Sequence, residues 1–132
     1  MYHFLQEFLM AYPEYSTQEF YAFGESYGGH YVPAVSHRIF EGNQNSEGFP
    51  INLSGLGIGN GLTNPLIQYE YYAQMAMNNT YGIKAVGEDT YAHMLADTPR
   101  CLALIEACQS DISVCTKAQS FCGLALVQPY QN

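Results

Sequence analysis

Phe20-Tyr21-Ala22-Phe23-Gly24-Glu25-Ser26-Tyr27-Gly28-Gly29, followed by Val32, Val35, Ser36 and Ile39, is the stretch whose reading decides the fold of this chain. The aromatic run from Phe20 to Gly24 is β-prone and bounded by Ser16-Thr17 and Gly24, the composition of a buried strand. After the glycines, Val32, Val35, Ser36 and Ile39 fall at i, i+3, i+4 and i+7, so a helix over most of residues 28 to 41 directs one face at a core. Pro33 cannot donate to the carbonyl four residues back, which predicts either a kink there or a helix that begins near His30. Residues 42 to 50 hold turn formers without periodicity and read as a surface loop. Ile51 to Ile58 returns to apolar alternation and ends in Gly59-Asn60-Gly61. Strand, helix and strand, with a connection longer than a dozen residues, form a βαβ unit whose right-handed crossover makes the strands parallel. The fold class up to about residue 61 is therefore α/β.

Upstream, Phe4, Leu5, Phe8 and Leu9 give an amphipathic helix over residues 2 to 11 that stops at Tyr12-Pro13, because the residue before proline avoids the α region. Downstream, Pro65 starts a tyrosine-rich helical stretch, and everything after it reads as helix or loop. The chain thus divides into residues 1–61, an α/β core segment, and residues 62–132, the start of a helical insertion.

Of 132 residues, 48% are apolar and 12% charged, which fits a globular chain and excludes a disordered or collagenous one. Twelve acidic against four basic side chains give a net charge of −8, which excludes nucleic acid and anionic membrane surfaces as partners. No apolar run reaches the ~18 residues of a membrane span, and Glu7, Glu14 and Glu19 stand where a signal peptide needs a basic start and an apolar centre. Cys101, Cys108, Cys115 and Cys122 crowd into one segment, the even cluster expected of disulfides. Two sequons, Asn52-Leu53-Ser54 and Asn78-Asn79-Thr80, agree with passage through an oxidising secretory route.

Gly24-Glu25-Ser26-Tyr27-Gly28 matches G-x-S-x-G between a strand and a helix, the context of the nucleophile elbow of an α/β-hydrolase fold. In that geometry Ser26 projects above the carboxyl edge of the sheet, and the Tyr27 backbone N–H is ready to receive the oxyanion of a tetrahedral intermediate. The implied chemistry is acyl transfer through serine, with no cofactor and no metal; the plainer reading is a glycine-rich turn without activity. A serine nucleophile needs a base, and His3, His30, His37 and His93 are the histidines on offer. None fits: in this fold the triad Asp and His follow later strands. His30 and His37 continue along the elbow helix as structural or exposed residues, and His93 lies beside Asp89 on a short helical stretch.

The run Gly24-Glu25-Ser26-Tyr27-Gly28-Gly29-His30-Tyr31-Val32-Pro33-Ala34 resembles the signature of the serine carboxypeptidases. The likeness extends through Phe8 to Tyr15, Gly57-Ile58-Gly59-Asn60-Gly61-Leu62-Thr63, and Arg100-Cys101-Leu102 to Pro129-Tyr130-Gln131. It implies that Ser26 is the acylated nucleophile and that Glu25 helps bind the terminal carboxylate of a peptide or protein substrate. It also implies that Leu62, Tyr69 and Tyr72 line the pocket on the acyl side of the scissile bond, and that the protein works at acidic pH. A carboxyl group facing a carboxylate helps only while the two share a proton. A plain helix-start acid for Glu25, and simple packing for the tyrosines, are the other readings. The resemblance places the protein in a vacuole or lysosome, or outside the cell. The family's upstream Asn-Gly-Gly-Pro-Gly loop and its downstream catalytic Asp and His are absent, so the chain is expected to be an internal fragment. An acyltransferase or esterase of the same fold, and a non-catalytic truncated product, are the competing classes.

The cysteines are expected to pair as Cys101 with Cys122 and Cys108 with Cys115. On one continuous helix, neighbours seven residues apart sit about 10.5 Å apart, beyond the roughly 7 Å limit for a bridge, so the chain must reverse inside the cluster. The nested pairing puts the reversal in the turn-prone Ser110-Asp111-Ile112-Ser113 and gives an antiparallel hairpin with Leu102, Leu104 and Ile105 on one arm and Phe121 and Leu124 on the other. Four free thiols on a buried helix face are the alternative, and a zinc site lacks its C-x-x-C spacing. The 132-residue chain alone is expected to hydrolyse no peptide, since oxyanion donors and binding without a base leave at best roughly 10³ to 10⁴ over water. Labelling of Ser26 by a fluorophosphonate at enzyme-like rates would contradict this.

Overall fold

Residues 1–131 are described by a computed structural model. They group into a first unit, residues 1–63, and a second from residue 64 onward. The first unit carries α1 (Tyr2–Ala11), β1 (Phe20–Glu25), α2 (Gly28–Gln44) and β2 (Leu53–Gly59). The two strands are parallel, with Ala22 opposite Leu56 and Glu25 opposite Gly59, so β1, α2 and β2 form the expected βαβ crossover. The core of this unit is Tyr2, Ile39 and Ile51, enclosed by Leu5, Leu9, Phe20, Val35 and Leu53.

Three local features differ from the sequence reading. The inner face of α1 is Tyr2, Leu5 and Leu9. Phe4 is 62% exposed instead, and Phe8 stacks on Phe4 and on Tyr15. Strand β1 is covered on one face only: Tyr21 and Phe23 are 50% and 75% exposed. Their rings lie over Gly55 and Gly57 of β2, where an added Cβ would come within 3.1 and 2.3 Å of ring carbons. The glycines of β2 are therefore the floor on which the aromatics of β1 rest. Helix α2 starts at Gly28, as the spacing over residues 28 to 41 predicts, and runs through Pro33, forgoing one bond to the Gly29 carbonyl.

At its other end α2 continues to Gln44, into the stretch read as loop. Gly42 lies under Tyr2, where a Cβ would meet the hydroxyl at 2.3 Å. The Asn43 amide bonds the Ile51 backbone twice, donating to its carbonyl at 2.7 Å and accepting from its N–H at 2.9 Å. Tyr2 donates to the Glu47 carbonyl at 2.6 Å, and the Arg38 guanidinium sits 4.1 Å over the Tyr2 ring. Arg38 also pairs with Glu47 at 2.5 Å, a contact that raises the guanidinium and holds the carboxyl below the usual carboxylate range.

The second unit is helical among the described residues: α3 (Pro65–Met77), α4 (Glu88–Ser110) and α5 (Cys115–Cys122), followed by a π-turn over Gly123–Val127. Asn64 caps α3 by accepting from the Ile67 N–H, with Pro65 in the first turn. Ala73, Ala76, Met94, Cys101, Ile105, Ala118, Cys122 and Leu126 form the core, with Leu104 and Phe121 packed on it. Leu124 is 64% exposed. His93 belongs to the 23-residue α4, not to a short stretch.

The chain reverses at Asp111, whose carboxylate accepts from the Ser113 N–H at 2.9 Å and its hydroxyl at 2.6 Å. These donors hold the Asp111 carboxyl below its ordinary range. Disulfides join Cys101 to Cys122 and Cys108 to Cys115, with Cα atoms 5.1 and 4.7 Å apart. By loop-closure entropy the bridges stabilise the folded hairpin by about 3.4 and about 2.5 kcal/mol respectively. Cys101 and Cys122 are 0% and 1% exposed, whereas Cys108 and Cys115 are only half-buried. Mild reduction followed by alkylation is expected to label Cys108 and Cys115 before Cys101 and Cys122. Simultaneous labelling of all four would show that burial does not protect the Cys101–Cys122 bridge.

Candidate active site

Strand β1 ends at Glu25 and α2 begins at Gly28, so Ser26 and Tyr27 alone make the turn. Ser26 adopts φ +58°, the left-handed region that costs a residue with a Cβ about 1–3 kcal/mol and persists only where its surroundings impose it. Three backbone bonds impose it here. The Ser26 N–H donates to the Gly59 carbonyl at 3.1 Å, and the Ser26 carbonyl accepts from the Gly29 N–H at 3.1 Å and the Leu62 N–H at 3.0 Å. The turn is thus tied to the end of the neighbouring strand, with Ser26 exposed at the carboxyl ends of both strands. Asn60, beside it, is also left-handed at φ +46°.

Glycines allow this approach. A Cβ on Gly29 would lie 2.7 Å from the Leu62 backbone, and one on Gly61 would lie 3.0 Å from the Gly29 Cα and 2.2 Å from the Ile58 side chain. Gly28, the last glycine of the G-x-S-x-G pattern, would meet nothing within 4 Å. Of the two glycines after Tyr27, the geometry therefore demands Gly29, one position later than the second glycine of the pattern, while the pattern's first, Gly24, is also tight, with a Cβ there 2.8 Å from Val32.

Tyr27 caps α2, where backbone N–H groups have no carbonyl of the helix to bond. Its ring stacks on His30 at 4.7 Å between centroids, 10° from parallel, and meets Tyr31 edge-on. His30 Nδ1 lies 2.6 Å from the Leu62 carbonyl oxygen. Glu25 is exposed at the end of β1, opposite Gly59, and Leu62 is half-buried. Glu25, Ser26, Tyr27 and Leu62 are thus brought together in the first unit.

Tyr69 and Tyr72 lie in the second unit on α3, their rings 5.0 Å apart and packed on its core. Burial, and then Tyr72, push the Tyr69 hydroxyl up. Tyr130 donates its hydroxyl to the Tyr72 carbonyl, and Tyr72 shares a hollow of about 490 Å³ with Ile67, Tyr71, Met75 and Val127. Among the histidines, His37 pairs with Glu41 at 3.5 Å on the surface of α2, His3 lies edge-on to Tyr2, and His93 is exposed on α4. None of the four is hydrogen-bonded to Ser26 among the described residues. The Ser26–Leu62 and His30–Leu62 bonds were not legible in the sequence, where Gly59-Asn60-Gly61 marks only a strand end.

Comparison with known proteins bears on this arrangement. A family model described as serine carboxypeptidase matches residues 1–131. Carboxypeptidase Y of Candida albicans is 41% identical over an alignment covering all of this chain and 24% of its own length. Serine carboxypeptidase-like 47 of Arabidopsis thaliana is 39% identical, over 88% of this chain and 24% of its own. Among solved structures, a prohormone-processing carboxypeptidase from Saccharomyces cerevisiae superposes with a TM-score of 0.66 at 26% identity, over 90% of this chain and 27% of that one. The chain spans about a quarter of the length of the curated relatives it matches.

Two adjacent glycines provide a test of the elbow's packing. Gly28→Ala, in the first turn of α2 with open space around its Cβ, is expected to stabilise the chain by about 0.4–1 kcal/mol. Gly29→Ala, driven against the Leu62 backbone, is expected to destabilise it by about 1–3 kcal/mol. Urea unfolding of both variants reads the difference, and equal midpoints would mean that the elbow does not depend on this approach.

Proposed function

Because the chain belongs to the serine carboxypeptidase family and carries part of an α/β-hydrolase fold, we propose that it is the nucleophile-bearing portion of a serine-type carboxypeptidase. The observation that carries this reading is Ser26, held at φ +58° between β1 and α2 inside the family's match. Ser26 Oγ attacks the carbonyl carbon of the last peptide bond of a substrate while a base takes its proton. The oxyanion is received by the Tyr27 N–H together with a second donor. The C–N bond then breaks, the C-terminal residue leaves with the proton on its amine, and water releases the acyl group from Ser26. The base and the second donor come from parts of the complete protein outside these residues.

Glu25, adjacent to the nucleophile, is assigned to the substrate's terminal carboxylate. Two carboxyl groups attract only while one holds a proton, so binding by this pair is favoured in acid and lost as pH rises. Leu62, Tyr69 and Tyr72 are assigned to the acyl portion of the substrate. Four cysteines joined in two bridges, with exposed Asn52 and Asn78 in sequons, support a glycosylated protein of the secretory route, vacuolar, lysosomal or secreted.

Hydrolysis of blocked dipeptides by the complete protein tests the reading. A substrate with a free terminal carboxylate is expected to be cleaved and its amide counterpart spared, with activity abolished in Ser26→Ala. Equal cleavage of simple esters and free-carboxylate peptides would favour an esterase or acyltransferase. In Glu25→Gln, which keeps a donor that ionised glutamate lacks, kcat/KM is expected to be preserved or improved near neutral pH and to fall less steeply as pH rises. Superimposable profiles would remove Glu25 from carboxylate binding.

A further inference from the structure

His30 has no part in the chemistry derived above, yet it joins the elbow to the segment after β2. Its Nδ1 stands 2.6 Å from the Leu62 carbonyl, across 32 residues of sequence. Its ring lies flat on Tyr27, and its backbone N–H donates to the Tyr27 carbonyl at 3.0 Å. The Leu62 N–H donates to the Ser26 carbonyl at 3.0 Å. Ser26, Tyr27, His30 and Leu62 therefore form a closed circuit in which the His30–Leu62 link is the one hydrogen bond made by a side chain.

We propose that His30 is a positioning residue for the peptidase reaction: by bonding Leu62 and stacking on Tyr27 it fixes the elbow and the Leu62 segment as one body around Ser26. This inference rests on the proposed function. Because the acceptor is a carbonyl, Nδ1 must carry the proton, and it does so in the Nδ1–H neutral tautomer and in the imidazolium alike. The link therefore persists in acid, where the terminal carboxylate is bound. Its loss frees two groups together, the Tyr27 N–H assigned to the oxyanion and the Leu62 side chain assigned to the acyl portion. A displacement of about 1 Å in such groups lowers turnover by up to about 10²-fold.

Substitutions in the complete enzyme separate the two contacts. His30→Asn places an amide N–H where Nδ1–H stood but has no ring, whereas His30→Phe keeps the ring on Tyr27 and has no donor. His30→Phe is expected to lose about tenfold or more in kcat on a blocked dipeptide with little change in KM, and to discriminate less between large and small acyl residues. His30→Asn is expected to recover most of kcat. Parent-like kcat in His30→Phe, equal losses in both variants, or losses that merely track thermal unfolding temperature would each overturn the positioning role. Ser26→Ala, measured alongside, keeps the two levels distinct: residual peptidase activity there overturns the proposed nucleophile, and this inference with it, whatever the His30 variants do.

Discussion

A serine in the left-handed region is the constraint on which the first unit depends. Nothing local favours φ +58° at Ser26, so the conformation must be held from outside, by the Gly59 carbonyl on one side and the Gly29 and Leu62 N–H groups on the other. Those partners can reach it only because the backbones at residues 29 and 61 lack a Cβ. The end of β1, the start of α2 and the segment after β2 therefore assemble together or not at all. The parallel pairing supplies the register that sets Glu25 opposite Gly59 and so delivers the turn to its partners.

The βαβ frame was legible because it rests on periodicity, which one sequence displays fully: apolar spacing set α2, alternation set β2, and Tyr12-Pro13 ended α1 where the pre-proline restriction requires. What escaped were contacts between residues distant in sequence. Gly42, Asn43 and Gln44 look like loop, but Tyr2 and Ile51 hold them in α2. Gly55 and Gly57 look like weak points in a strand, but they accommodate the rings of Tyr21 and Phe23.

The site shows the same division. The nucleophile elbow was visible as strand, small residues and helix, whereas the His30–Leu62 bond has no sequence signal, since neither an i+4 histidine nor a leucine after a glycine implies the other. In the second unit, Ala73 and Ala76 at i and i+3 let α3 approach the core closely, and the buried Cys101–Cys122 bridge occupies the centre of that core as an apolar element. The bridge acts there as packing as well as crosslink.

Tyr21 and Phe23, resting on glycines, also leave apolar surface in contact with solvent. Among the described residues one face of the sheet presents exposed aromatic rings, an apolar patch of the kind that favours association. Opposing it is the net charge of −8, a long-range repulsion that keeps copies apart near neutrality. With an isoelectric point near 4.6 that repulsion fades in mild acid, so the colloidal stability of the chain is weakest toward the acid conditions that favour protonated carboxyl pairs.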